Sequence, residues 1–207
     1  MDEVIIATKN EGKAAEFKTM LAPLGVKVRT LLDFPEIEDI EETGHTFEEN
    51  AVLKAEETAF ALQKMVIADD SGLSIEYLGG KPGVYSARYA GEQKDDAKNI
   101  QKVLQELKGV PHEERSARFH CALAIAAPGQ ETITVEGTVE GIIAEKPEGM
   151  GGFGYDPIFI VKDKGKTMAQ LTKEEKNKIS HRANALNKLQ LLLQHEDSVF
   201  RGNKEDR

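Results

Sequence analysis

The 207-residue chain contains no tryptophan and only one cysteine, Cys121. A single cysteine excludes an internal disulfide and any metal site built from several cysteines, and it suits a reducing compartment. No apolar run approaches the roughly 20 residues that span a bilayer. The first three residues, Met-Asp-Glu, also lack the basic start of a signal peptide. We therefore expect a soluble, cytoplasmic protein without a membrane partner.

Basic residues are outnumbered, because 27 Lys and Arg face 36 Asp and Glu, which leaves a net charge of −9. Binding to nucleic acid through its phosphates needs a broad basic patch, so we predict no nucleic-acid partner. With 40% hydrophobic and 30% charged residues, the composition is that of a folded globular protein. We predict one domain over residues 1–195, followed by a charged tail, residues 196–207, that frays.

Five segments have the apolar composition or the alternation typical of strands. They are residues 4–7, 66–68, 118–127, 132–144 and 157–161. The third and fourth are predicted to pair as antiparallel neighbours across Pro128 and Gly129. The second is expected to present Asp69 and Asp70 at its C-terminal end.

Apolar residues at helical spacing predict four helices. They cover residues 10–24, residues 46–65, the stretch from Ile100 to Leu107, and the stretch from Thr172 to Leu193. Capping-box patterns begin two of them, at Thr46 and at Thr172. Residues 78–91 contain four glycines and Pro82 and predict a surface loop. These elements predict an α/β fold, with a mixed, twisted sheet, flanking helices and two lobes around a cleft.

Residues 8–13 (TKNEGK) lie where the first strand leads into the first helix. The free N–H groups and positive dipole end of such a junction bind phosphates, and Lys9 and Lys13 add charge. The segment is not a P-loop, because Ala14 follows Lys13 and the glycine spacing is missing. A polar turn with two solvated lysines is the alternative interpretation.

Asp69 and Asp70 are adjacent carboxylates, whose charges repel unless a cation or a proton relieves them. Magnesium suits such a site, because it binds one or two carboxylates and bridges them to substrate phosphates. Glu41 or Glu42, in a second acidic cluster, could reach the same ion. The alternative is a turn-forming aspartate pair beside a solvated acidic loop.

Residues 149–154 (GMGGFG) contain the letters of a dinucleotide-binding fingerprint. Their context rejects it, because a strand follows where that fingerprint opens a helix. A glycine-rich backbone beside Phe153 would let a flat ring approach closely and stack. A flexible loop is the alternative.

The last predicted helix carries Lys176, Ser180, His181 and Arg182 within two turns. At about 100° per residue, the three basic groups do not converge on one point of a regular helix. Either the helix breaks near Ser180, or the three groups address different parts of a ligand. An exposed basic stripe is the third possibility.

Six segments together resemble the inosine/xanthosine triphosphate pyrophosphatases. They are residues 8–13 (TKNEGK), 46–51 (TFEENA), 68–73 (ADDSGL), 83–89 (GVYSARY), 152–157 (GFGYDP) and 179–182 (ISHR). The resemblance runs in unbroken order from about residue 4 to residue 193. It implies an elongated mixed α/β fold, a homodimer, and Mg²⁺-dependent hydrolysis of ITP, dITP and XTP to the nucleoside monophosphate and pyrophosphate, which removes these nucleotides from the pool.

The resemblance also implies roles for individual residues. Asp70 would be the general base and a magnesium ligand, and Glu41 the second acidic ligand. The remaining positions would bind substrate: Thr8, Lys9, Asn10, Glu11, Gly12, Lys13, Ser71, Phe153, Gly154, Tyr155, Asp156, Lys176, His181 and Arg182.

Base choice follows from hydrogen bonding. Hypoxanthine and xanthine carry an oxygen acceptor at position 6, where adenine carries an amino donor. Cationic donors such as Lys176, His181 or Arg182 would favour the acceptor and disfavour ATP by about 1 to 3 kcal/mol per contact. This reasoning does not exclude GTP, which shares the 6-oxygen.

Three rival functions remain open at this point: a hydrolase that releases the γ-phosphate, an inert nucleotide-binding regulator, and an RNA-binding module. The acidic residues Asp69, Asp70 and Glu41 argue against the regulator, and the charge and scarce aromatics argue against RNA binding. Cys121 is interpreted as a buried strand residue rather than a nucleophile, because nothing in its sequence neighbourhood would activate a thiolate.

Overall fold

The computed structural model describes residues 3–202. It contains one six-stranded sheet and five α-helices within that range. The strands are β1 (Glu3–Ile6), β2 (Lys27–Thr30), β3 (Val66–Ile75), β4 (Ser116–Ala126), β5 (Ile133–Ile143) and β6 (Phe159–Val161). The helices are α1 (Glu11–Leu21), α2 (Phe47–Leu62), α3 (Asp96–Glu106), α4 (Lys173–Ile179) and α5 (His181–Gly202).

The sheet is mixed, with the order β2-β1-β3-β4-β5-β6. Strand β1 pairs in parallel with β2 and β3, whereas β3, β4, β5 and β6 pair antiparallel in succession. The predicted mixed α/β fold is therefore confirmed, including the antiparallel pairing of β4 with β5. Among the described residues, no helix is both long enough and apolar enough to cross a bilayer.

Helices cover the two faces of the sheet unequally. The alanine-rich face of α2 packs against Ala68, Ala122 and Ala124 on one side. Helices α1 and α5 pack on the other side, around Cys121 and Leu123. A third apolar cluster, with α3 and residues 155–171, extends this second side toward β6.

Strand β3 is longer than the sequence predicts. It runs to Ile75, so Asp69 and Asp70 lie in the middle of a strand rather than at its C-terminal end. The physical reason is that β4 pairs with β3 along its whole length, from Val66 to Ile75. Only the parallel neighbour β1 ends near Ile67, and this leaves the two aspartates at an edge of the parallel half of the sheet.

Several boundaries also differ from the predictions. Helix α1 ends at Leu21, before a 3₁₀ turn at Ala22–Leu24, and α2 ends at Leu62, before Gln63 with φ +50°. Residues Gly83–Arg88 form a 3₁₀ helix inside the predicted surface loop, and this helix is joined to β3 because the buried Ser86 hydroxyl accepts the Leu73 N–H. Residues 203–207 of the predicted charged tail lie outside the described residues.

Candidate functional site

The two adjacent aspartates point to opposite faces of the sheet. Successive side chains of a strand alternate between its faces. Asp70 therefore faces α2, where it contacts Asn50 and Lys54, whereas Asp69 faces α1 and α5, where it contacts Lys13 and Arg182. The expectation that one cation relieves the repulsion between these two carboxylates is corrected by this geometry, because each has its own set of partners.

Asp70 lies in an acidic cluster on the α2 side of the sheet. Its Oδ2 accepts a hydrogen bond from Asn50 Nδ2 at 3.1 Å, and Lys54 Nζ lies 3.3 Å from its Oδ1. The same ammonium contacts Glu42 Oε1 at 2.7 Å. Burial raises the pKa of Asp70, with a further contribution from the Glu42 charge, and together these exceed the opposing effect of Lys54 and Lys13.

Asp69 is the centre of a buried network on the other face. Its carboxylate forms an ion pair with Lys13 and accepts from Arg182 Nε at 3.0 Å and from the Ser71 hydroxyl at 2.7 Å. Burial alone would raise the pKa of Asp69, but Arg182 and Lys13 hold it well below its usual value. Asp69 is therefore a permanent negative charge that holds two cations.

The junction of β1 and α1 forms one wall of the site. Asn10 is the N-cap of α1, and its Oδ1 accepts the Lys13 N–H at 2.9 Å, while Thr8 Oγ1 accepts the Asn10 N–H at 3.1 Å. Lys9 Nζ binds the Ile37 carbonyl at 2.7 Å and Asp39 at 3.0 Å. Lys9 thus ties the acidic loop to this wall, a contact that its place in the sequence does not reveal.

A cavity of about 770 Å³ lies between the β1–α1 junction and the acidic loop, and Asp69 lines it whereas Asp70 does not. Its lining includes Thr8, Lys9, Asn10, Lys13, Glu41, Glu42, Lys54, Asp69 and Arg88. Glu41 and Glu42 both line it, but only Glu42 forms an ion pair among the described residues, with Lys54 and with Arg88 at 3.5 Å. Lys54 and Arg88 were not predicted as site residues. The signal that could have revealed Arg88 is its place in the segment GVYSARY.

The last predicted helix breaks at Ser180, whose φ of −66° and ψ of 158° are extended. Of the alternatives left open by the sequence, the break is the one observed, since α4 ends at Ile179 and α5 begins at His181. The break brings the basic side chains together. Lys176 and Arg182 both pair with Glu16 on α1, Lys176 at 2.7 Å, and Lys176 also pairs with Asp156.

Glu16 is a further group that the sequence reasoning missed. Glu16 is the acidic residue on α1 that lies between the buried Ala14 and Phe17. An acidic residue between two buried positions is the sequence signal that could have identified it as a site residue. Glu16 contacts a cation of α4 and a cation of α5. It therefore links α1, which follows the candidate phosphate-binding loop, to the basic groups on either side of the Ser180 break.

Phe153 covers the cations at this end of the site. Its ring centroid lies 4.7 Å from Lys176 Nζ, and its backbone N–H donates to Asp156 Oδ2 at 3.0 Å. The ring packs directly against Gly12, where a β-carbon would come within 2.5 Å of its Cδ1. Gly12 therefore makes room for the ring. A contact with phosphate, which the resemblance implies for Gly12, remains a prediction.

Three of the predicted substrate-binding residues have surroundings that the sequence did not indicate. The Tyr155 side chain is buried in the apolar cluster near β6, and its hydroxyl donates to the Ser86 carbonyl at 2.7 Å. Glu11 is exposed in the first turn of α1. Gly154 donates its N–H to Asp96 Oδ2 at 2.7 Å.

His181 is not a cationic donor, which corrects the expectation from sequence. Its imidazole is buried and stacks on the Phe119 ring with centroids 4.9 Å apart. Burial, followed by the charge of Arg182, lowers the pKa of His181 well below its usual value, so the ring is neutral near pH 7. Its Nδ1 has no hydrogen-bond partner among the described residues.

Comparison with known proteins places this arrangement in a family. The model of the Ham1 family matches residues 4–191. A relative from Bacillus subtilis, named dITP/XTP pyrophosphatase, is 69% identical over 194 residues, covering 94% of this chain and 98% of the relative. A relative of the same name from Geobacillus kaustophilus is 62% identical, covering 91% and 93% of the two chains.

Solved structures agree with the sequence relatives. The Ham1 protein of Staphylococcus aureus has a TM-score of 0.83 at 50% identity, covering 94% of this chain and all of that one. The HAM1 protein of Coxiella burnetii has a TM-score of 0.84 at 44% identity, with the same coverage. The family match over nearly the whole chain and these relatives show that the chain belongs to the Ham1 family.

Proposed function

We propose that this protein hydrolyses the non-standard purine nucleoside triphosphates ITP, dITP and XTP to the nucleoside monophosphate and pyrophosphate. The observation that carries the proposal is one cavity lined by the start of α1, by Lys9, Lys13 and Lys54, and by two glutamates of the acidic loop, with Lys54 of this lining paired to the Asp70 carboxylate. The name of its relatives, dITP/XTP pyrophosphatase, supports two of these substrates, dITP and XTP.

Magnesium fits the acidic side of this cavity. Asp70 and Glu42 supply carboxylate oxygens to a shared cation, the Lys54 ammonium. Burial, with a smaller contribution from the Glu42 charge, raises the pKa of Asp70, and a further cation beside the pair would favour its ionised form. Among residues 3–202 no group of three or more His, Cys, Asp and Glu side chains is placed to hold a metal. Two carboxylates suffice for Mg²⁺ when substrate phosphates and water complete its shell.

Asp70 and Glu42 would hold the ion, which would neutralise charge on the phosphates when bound. The resemblance assigns the second ligand to Glu41, whereas the contact with Lys54 favours its neighbour Glu42. The Asp70 carboxylate accepts the proton of the attacking water as the α–β anhydride breaks and pyrophosphate leaves.

The other residues bind and orient the nucleotide. The N–H groups at the start of α1, with Lys9 and Lys13, bind the phosphates. Lys176 and Arg182, held in place by Glu16, donate toward the 6-oxygen of the base, and the Phe153 ring stacks on it. A 6-amino group cannot accept the N–H groups that these side chains direct at the base, at a cost of about 1 to 3 kcal/mol for each contact.

The finer assignments belong to the same proposal. We propose a cytoplasmic homodimer that needs Mg²⁺ and acts on free nucleotides rather than on nucleic acid. The net charge of −9 supports the last point, because the cations of the site are local and largely paired with acidic neighbours.

The test compares the wild type with Asp70→Asn, using ITP and Mg²⁺ and identifying both products. The wild type should release pyrophosphate, whereas release of inorganic phosphate would favour hydrolysis at the γ position. Asp70→Asn should lose about 10²- to 10⁴-fold in kcat, the range typical of a general base. Asp163→Asn, an exposed acid outside this cavity, is the matched control. Wild-type turnover by Asp70→Asn would remove Asp70 from the mechanism.

A further inference from the structure

The single cysteine of the chain lies directly beneath the site. Cys121 is in β4, opposite Ser71 of β3, and its side chain is on the same face as Asp69. The side chain is fully buried, and its Sγ lies 3.1 Å from Asp69 Oδ2. Cross-strand diagonal neighbours are within reach of each other on one face of a sheet, which explains this contact.

The thiol can only be the donor in this hydrogen bond. An ionised carboxylate only accepts hydrogen bonds. Burial, together with the negative charge of Asp69, raises the pKa of Cys121 well above its usual value, so the sulfur keeps its proton. The role is therefore neither nucleophilic nor metal-binding, since both need a thiolate.

The oxygen that receives this bond also positions residues of the candidate site. Asp69 Oδ2 accepts from Arg182 Nε and from the Ser71 hydroxyl, and Oδ1 pairs with Lys13. Lys13 belongs to the phosphate side of the site and Arg182 to the base side. Rotation of this one carboxylate would therefore displace both cations together. The thiol approaches from β4 and restricts that rotation.

We propose that Cys121 is a positioning residue for substrate binding, because its thiol fixes the Asp69 carboxylate and, through it, Lys13 and Arg182. This inference rests on the proposed function for its consequence but not for its geometry. Asp70 faces the opposite side of the sheet, so loss of the thiol should weaken substrate binding and leave the chemical step intact.

The hydrogen bond itself can be measured without any activity. The chain has one cysteine, so its infrared S–H stretching band has a single source. The band of the folded wild type should lie at lower frequency than that of the protein unfolded in urea, as expected for a thiol bound to a carboxylate. An equal frequency in the two states would overturn the proposal, whether or not the protein releases pyrophosphate from ITP.

The consequence is tested by kinetics with ITP. Cys121→Ala removes the donor and should raise KM about three- to tenfold, with kcat within about twofold of wild type, as expected for loss of one weak hydrogen bond to a charge. Cys121→Ser keeps a donor of similar size and should restore KM. A purely structural role predicts that KM follows the melting temperature instead.

Ile125→Val is the matched control, because it also removes atoms from the apolar cluster around Cys121 but does not contact Asp69. It should lower the melting temperature and leave KM unchanged. The proposal is overturned if Cys121→Ala keeps the wild-type KM, if Cys121→Ser is as impaired as Cys121→Ala, or if Ile125→Val raises KM equally. Should Cys121→Ala fail to fold, the infrared comparison on the wild type still decides.

Discussion

Replacing Gly12 by alanine should impair substrate binding while leaving the protein stable. An added β-carbon would lie 2.5 Å from Phe153 Cδ1 and 2.9 Å from its Cε1, whereas ordinary contacts begin near 3.4 Å. The ring must therefore retreat by about 0.9 Å, away from its position over Lys176. A displacement of about 1 Å in a positioning group can lower turnover about 100-fold.

Stability should change little, because two effects oppose each other. Alanine is favoured over glycine in a helix by about 0.5 to 1 kcal/mol, which offsets part of the overlap with the half-buried Phe153 ring. We therefore expect a drop of about 10- to 100-fold in kcat/KM for ITP, with a melting temperature within a few degrees of wild type.

Steady-state kinetics with ITP and thermal unfolding measure the two quantities separately. Ala15→Gly, at an exposed position of α1, is the matched control. It reverses the propensity change and should lower the free energy of unfolding by about 1 kcal/mol with unchanged kinetics. Wild-type kcat/KM in Gly12→Ala would refute the reasoning, since the ring could then move without consequence.

Two further predictions concern the acidic cluster and the buried histidine. Glu42→Gln should raise the Mg²⁺ concentration needed for half-maximal activity about tenfold or more, because Glu42 shares a cation with Asp70. Glu41→Gln should raise it less than about threefold. If a magnesium titration gives the reverse order, Glu41 is favoured as the ligand. The pKa of His181 is lowered on folding, so the unfolded chain binds the extra proton as the pH falls below about 6.5. The free energy of unfolding in urea should then decrease by up to about 1.4 kcal/mol per pH unit. His181→Gln should remove this contribution to the pH dependence. The pKa of His120 is also lowered, but His120 contributes equally in the wild type and in His181→Gln. Equal pH dependence of the free energy of unfolding in the wild type and the variant would contradict the assignment to His181.

Much of the local structure could be predicted from the chain. The capping boxes at Thr46 and Thr172 occur as predicted, because a hydroxyl and a carboxylate three residues apart bind the backbone between them. The strand ends were less predictable. Asp69 and Asp70 look like the end of a strand, but pairing with β4 continues the strand to Ile75.

The sequence alone determined the mixed α/β class and the family resemblance, because these depend on residue spacing along the chain, and it singled out three segments that contribute to the cavity lining, residues 8–13, 68–73 and 83–89. Only the tertiary structure decided that Asp69 serves Lys13 and Arg182 while Asp70 serves Lys54. Asp69 and Arg182 are 113 residues apart, and sheet pairing and helix packing bring them together. Such contacts depend on which face of the sheet each side chain occupies. When the end of a strand is predicted a few residues too early, the faces of the residues beyond it are not predicted.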